Sequence, residues 1–292
     1  LDKDTDDKDA PRVKVFGKRV AFRDLNFRVK DGVETDYGKM HLQATGHDLF
    51  EKVSGNLELV EGSVIEGNIS KSENFSLKLK KGTKFYADEV LELGKMELKG
   101  DLFVGTRNSY EKEEGKRTIQ TLSAISASSP SDKYYTVHYN KDSNGNKTKV
   151  NLDNANIHLR INGAQSENND KMVFSKDTEI RGKGEITLHP QNVSKVKRNM
   201  SFTLLEEEGK DVGGNKVYDL EKLPLTLGKV EFGALKFGRK DKKLNGRYVV
   251  TLVATGELSE AAKNTLINSR DSYKYNQEEL KSISDKIFEK HN

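Results

Sequence analysis

Apolar and polar residues alternate along most of this chain, and the alternation recurs as a loose phrase: an alternating strand, a polar turn, then a second alternating strand that closes on Gly. The phrase occupies residues 24–32 with 39–46, and again 56–62 with 75–79. It returns at 156–163 with 171–174, and at 230–232 with 248–256. A period of two places every other side chain on one face, so Phe75, Leu77 and Leu79 point one way while Ser76, Lys78 and Lys80 point the other. One such unit cannot bury its apolar face alone, which makes repetition a signature of stacking. The pattern predicts a mainly β fold: an elongated antiparallel β-jellyroll or β-taco, or a solenoid-like stack, with a short C-terminal helical tail.

Breaks in the pattern divide the chain. Residues 1–11 carry five Asp and end at Pro11, which reads as a disordered acidic linker. A first β unit spans 12–105. The alternation lapses over 106–131 into a charged run and a Ser/Ala-rich stretch, the signature of a loop or linker. A second β unit spans 132–258 and opens on an expected hairpin, with Tyr135, Val137 and Tyr139 leading to an Asn144-Gly145 turn and residues 147–152 returning. In the helical segment 259–292, Ser259 and Asn276 are positioned to cap two short amphipathic helices, the second with Leu280, Ile283, Ile287 and Phe288 on one stripe. Such helices are expected to cover a sheet edge or to dock a partner.

Composition narrows the functional classes. Apolar residues make up 34% of the chain and charged residues 33%, a balance that suits a thin structure with much surface per residue. The 50 basic and 46 acidic residues nearly cancel, leaving +4, and no basic block marks a nucleic-acid partner. With no Cys, disulfides, thiol catalysis and Cys-based metal sites are all excluded. No apolar run approaches the roughly 18 residues of a membrane-spanning helix. The start at Leu1 rather than Met fits removal of a leader or anchor.

Chemistry is sparse. His41, His47, His138, His158, His189 and His291 show no metal-binding spacing, and His41, His138 and His158 sit at the wet positions of their strands. Residues 140–145 imitate the opening of a calcium loop, but Asn151 stands where the bidentate Glu is required. No nucleophile elbow, phosphate loop or dinucleotide fingerprint occurs, and no carboxylate pair stands out. The expectation is a protein without catalytic residues, metal or cofactor.

One stretch resembles a known family. Residues 56–62, 75–79, 85–88 and 96–104, above all Ala87-Asp88 and the run from Leu98 through Gly100 to Val104, resemble the unit of the periplasmic lipopolysaccharide-export bridge proteins, and more distantly the long-groove lipid-transfer proteins of the AsmA and TamB type. The resemblance implies a V-shaped pair of sheets whose open groove carries acyl chains, with transport driven by a partner ATPase. Burying acyl CH₂ groups at about 0.8 kcal/mol each would hold the guest. The residues expected to line the groove are Leu57, Leu59, Phe75, Leu77, Leu79, Met96, Leu98, Phe103, Ile157, Leu159, Ile161, Phe174, Ile186 and Leu188. The expected role is therefore a non-enzymatic protein of the bacterial periplasm or outer envelope that binds or conducts lipid and pairs with other envelope proteins through β-edges. The alternatives are a surface β-solenoid adhesin or autotransporter passenger, and a structural envelope scaffold.

Overall fold

In the computed structural model, the described residues are 21–23, 26–27, 39–111, 133–140, 147–228, 235–258 and 260–289. The acidic opening, most of the expected linker and the Asn144-Gly145 turn lie outside them. The chain is mainly β and forms a solenoid-like stack. Its strands join three parallel ladders, and the chain visits them in the same order on each coil. The strand Val64–Leu79 shows the scheme by itself, since residues 64–66, 68–72 and 75–79 each lie in a different ladder.

Like residues stack on like along the inside of each ladder. In the first, Phe22, Phe50, Ile69, Leu91, Tyr139 and Phe174 are in register from coil to coil. In the second, Leu57, Leu77, Met96, Val150 and Ile180 form one row. The third aligns Leu42, Ile65, Phe85, Leu102, Ile157, Ile186 and Leu227. These rows meet in a single apolar core that spans strands on both sides of residues 112–132. Outside, the second ladder carries charge, with Glu58 bound to Lys78 at 3.0 Å and to Lys80 at 2.6 Å.

The pairing direction corrects the antiparallel expectation. Strict alternation reports that one face of a strand is buried, and a solenoid that closes on itself meets that condition with parallel neighbours and no covering helices. The expected hairpin is corrected for the same reason: Thr136–Tyr139 pairs with residues 90–91 and 171–174, whereas Thr148–Asn151 pairs with 95–97 and 178–181. The two strands are successive sides of one coil.

Corners depend on particular residues. Gly67 joins two sides of a coil at φ +139°, and a Cβ there would lie 2.8 Å from that of Leu49, so both conformation and space demand Gly. Its neighbour Asn68 is buried and serves the next coil: Oδ1 accepts from the backbone N–H groups of Asp88, Glu89 and Val90 at 3.0 to 3.2 Å, while Nδ2 donates to Asp88 at 2.7 Å. Three backbone donors at a bend, where no ladder partner exists, are thereby satisfied.

The stack ends by a change of direction. Ser201–Glu207 pairs antiparallel with Arg247–Leu258, which pairs antiparallel with Leu235–Leu244. In the row of Tyr139 and Phe174 the next position is Glu207, whose buried carboxylate accepts from the N–H groups of Asp219 and Leu220. The strand Leu235–Leu244 exposes Lys240 and Lys242, charges that discourage pairing at a sheet edge. The helical tail is short relative to the β body but is one helix, Glu260–Glu289, rather than two. Asn276 lies inside it, because a residue able to cap ends no helix when neither Gly nor Pro follows within it. Side chains 264–282 are all exposed, so over that length the helix covers no sheet edge.

Replacing Asn68 by Ala is expected to cost about 2 to 3 kcal/mol by orphaning the corner amides. Urea unfolding should show this as a lower midpoint with an unchanged slope.

Candidate functional site

The groove residues predicted from sequence are not on a surface. Thirteen of the fourteen belong to the closed core: Leu57, Leu59, Phe75, Leu77, Leu79, Met96, Leu98, Ile157, Leu159, Ile161, Phe174 and Ile186 are at most 1% exposed, and Leu188 is 6% exposed. The expected open trough is thus corrected to a filled interior. Phe103 is corrected in another way. It follows inward Leu102, so the strand alternation turns its ring to the outside of the third ladder.

There it joins the densest cluster of chemistry on the described surface. On adjacent coils, Tyr86, Phe103 and His158 occupy one outward row. Their rings stack at 4.4 Å and 17°, then at 4.0 Å and 13°. The ladder spacing of about 4.8 Å brings in-register rings into this contact without help from loops. Each sits in the middle of an apolar triplet, Phe85-Tyr86-Ala87, Leu102-Phe103-Val104 and Ile157-His158-Leu159. That shared context is the signal by which the row was findable in the sequence.

The row ends in a polar chain. His158 Nε2 lies 2.8 Å from an Asp101 carboxylate oxygen, and His158 Nδ1 lies 2.8 Å from Nε2 of His189. The expectation that His158 sits at a wet position is corrected, since it is buried. Burial first, then the charges of His158 and Arg160, push the His189 imidazole down to about 4. Carboxylate, imidazole and imidazole in line can hold and pass a proton. Among the described residues, no group of three or more His, Cys, Asp or Glu is placed to hold a metal ion.

What covers the row is a segment that leaves the solenoid after Val104. Its first turn is α1, Arg107–Tyr110. The Tyr110 ring meets Phe103 edge-on at 5.0 Å and His189 at 5.0 Å, and its hydroxyl contacts the carbonyl oxygens of Val104 and His158 and the Asp170 carboxylate at 2.8 to 3.0 Å. Glu111 then binds Tyr86, Lys84 and Arg107 at 2.7 to 2.9 Å. Burial alone would raise the Glu111 carboxyl, but these three hydrogen bonds outweigh it and hold the group at about 2.

A buried ion pair holds both Tyr110 and residues 133–135. Arg160 and Asp170, with side chains 5% and 0% exposed, form a bidentate pair at 2.7 and 2.9 Å. Asp170 also accepts from the N–H groups of Tyr135 and Arg160, and Arg160 donates to the Lys133 carbonyl. The rings of Tyr134, Tyr110 and Tyr135 surround the guanidinium at 5.0 to 5.6 Å. Burial raises the Asp170 carboxyl more than the Arg160 bonds lower it. For Arg160, burial opposes the charge and the bonds to Asp170 prevail, raising its pKa.

A concavity of about 520 Å³ lies near the end of the stack, beside the turn at Asn245. Lys176, Glu206, Glu208, Lys216, Tyr218 and Arg247 are among its lining residues, with charges of both signs.

No family model matches this chain, and no curated protein matches it. Among solved structures it is similar to the crystal structure of the Haemophilus influenzae Hap adhesin, at a TM-score of 0.37 and 17% identity. The match covers 73% of this chain and 22% of that one, so this chain spans about a fifth of the adhesin's length. The TM-score is too low to establish a shared fold.

Removing the anion of the buried pair is expected to strand a desolvated guanidinium. Asp170→Ala should cost about 3 to 5 kcal/mol in chemical denaturation. The same change at Glu58, in a solvent-facing pair, should cost less than about 1 kcal/mol.

Proposed function

We propose that this protein is a non-enzymatic β-solenoid scaffold that presents its outer surface to a macromolecular partner, in the manner of a surface adhesin or passenger, at or outside a bacterial envelope. The observation that carries this reading is the filled core. An acyl chain reaching Leu57, Leu77 or Ile157 would have to displace side chains that are at most 1% exposed, and interiors packed at crystal-like density have no room for a guest. The distinctive groups instead lie outside: the covered aromatic row on the third ladder, the mixed-charge concavity at the end of the stack, and a helix with an exposed run of 19 residues, counted from 264 through 282.

Stacked ladders suit display. Each coil rests on its neighbours, so loops that leave at the corners can vary in length without disturbing the rows inside. The covering segment after Val104 and the hairpins beyond Glu207 both leave the coil path in this way. No helix among the described residues is long and apolar enough to cross a membrane.

Two measurements test the reading. Labelled protein applied to epithelial cells and to immobilised matrix proteins should bind saturably and leave its target chemically unchanged, and absence of saturable binding to any of them would count against display. Organic extraction of purified protein followed by lipid mass spectrometry should recover no acyl lipid above a mock purification. A stoichiometric acyl lipid would restore the groove. The same contrast is available in a single variant: Leu77→Asp should abolish cooperative folding, costing more than about 4 kcal/mol through an unpaired buried carboxylate, where a groove-lining position would tolerate it.

A further inference from the structure

We propose that the His158–His189 pair is an acid-operated latch that holds α1 against the outer face of the solenoid and releases it when both rings are protonated. The geometry fixes how many protons the pair accepts. With one proton in excess of neutrality, His158 donates from both nitrogens, to the Asp101 carboxylate on one side and to the unprotonated Nε2 of His189 on the other. That state keeps every contact. A second proton leaves each ring with N–H groups on both nitrogens, so two donors face each other at 2.8 Å and two like charges share one site. The rings must then part.

Parting is transmitted directly to α1. Tyr110 rests edge-on against His189 at 5.0 Å, its hydroxyl reaches the His158 carbonyl at 3.0 Å, and its ring packs on Phe103, which itself stacks on His158. Displacing His189 therefore removes part of the seat of Tyr110 and loosens the rest.

The surrounding charges set where this happens. From the third ladder, Asp101 and Arg160 face the pair, with Glu185 and Lys84 farther along their strands. From α1 and the residue after it come Tyr110, Arg107 and Glu111, and from residues 133–135 and the strand start beyond come Lys133, Tyr134, Tyr135 and Asp170. Besides burial, the cationic groups that disfavour a proton on His189 are His158 and Arg160. His189 is held down to about 4 by burial and then by these cations, below the ordinary value near 6.5. Because the unfolded or released state binds the proton more readily, the closed state is fully favoured above about pH 6.5 and loses stability as pH falls toward 4. Glu111, held at about 2, stays ionised over that whole window, so its titration does not produce the release.

Hydrogen exchange read by mass spectrometry tests the latch on the intact chain. After correction for intrinsic rates, protection of the amides from Gly105 to Glu111 should fall at least tenfold between pH 6.5 and pH 4, while the strand Val64–Leu79 stays protected. His189→Phe keeps a ring beneath Tyr110 and removes the proton site; its protection should change less than twofold over the same range. Should that variant fail to fold, His189→Gln serves, since it also cannot titrate. Asp170 is intact in both variants. An equal loss of protection in the variants would assign the release to Asp170 or another group and overturn the latch, as would a wild-type segment that stays protected at pH 4.

Discussion

In-register stacking of like side chains along three parallel ladders is the constraint on which this molecule rests. Each inward position of one coil sits over the same kind of position in the next, so the core is a set of continuous rows rather than a layer between separate sheets. A row tolerates no polar member without a partner, and the carboxylate of Glu207 enters one where the stack ends and meets two backbone donors. The corners follow from the same demand. A coil that bends between sides exposes amides with no neighbour in the ladder, and Asn68 collects three of them with one oxygen.

The constraint also organises the exterior. Repetition that aligns leucines inside aligns Tyr86, Phe103 and His158 outside, where the ladder spacing brings flat rings into contact. An apolar row on the outer face needs a cover, which the segment after Val104 supplies. Its cover in turn needs an anchor. The Arg160–Asp170 pair performs that role by binding the Tyr110 hydroxyl on one side and the backbone of Lys133 and Tyr135 on the other, while three tyrosine rings surround the guanidinium. A buried ion pair of this kind contributes more to fixing one arrangement than to net stability.

Much of the fold was legible in the sequence because burial of one face imposes a period of two, whatever the strand direction. That period located the β segments and the inward identity of residues such as Leu57, Leu77 and Ile157. It carried no information on whether the neighbouring strand ran parallel, so the antiparallel assignment and the Tyr135 to Leu152 hairpin both failed at the same point. Phe103 was placed on the wrong side because it lies in an unbroken apolar run, Leu102-Phe103-Val104, where alternation is silent. His158 was read as solvated because what buries it comes from α1, some fifty positions earlier in the chain, and local pattern cannot report a distant cover. Likewise, the facing of His158 and His189 depends on coil register, which no spacing rule applied to the sequence supplied.

The change of strand direction at the end of the stack has a mechanical consequence. Arg247–Leu258 leads toward the helix Glu260–Glu289 and is bonded on both flanks by strands running the opposite way. Tension applied along that strand loads its lateral bonds in shear, all at once, instead of peeling them singly from one end. A tether attached through the helix would therefore pull on a strand clamped by two neighbours at once.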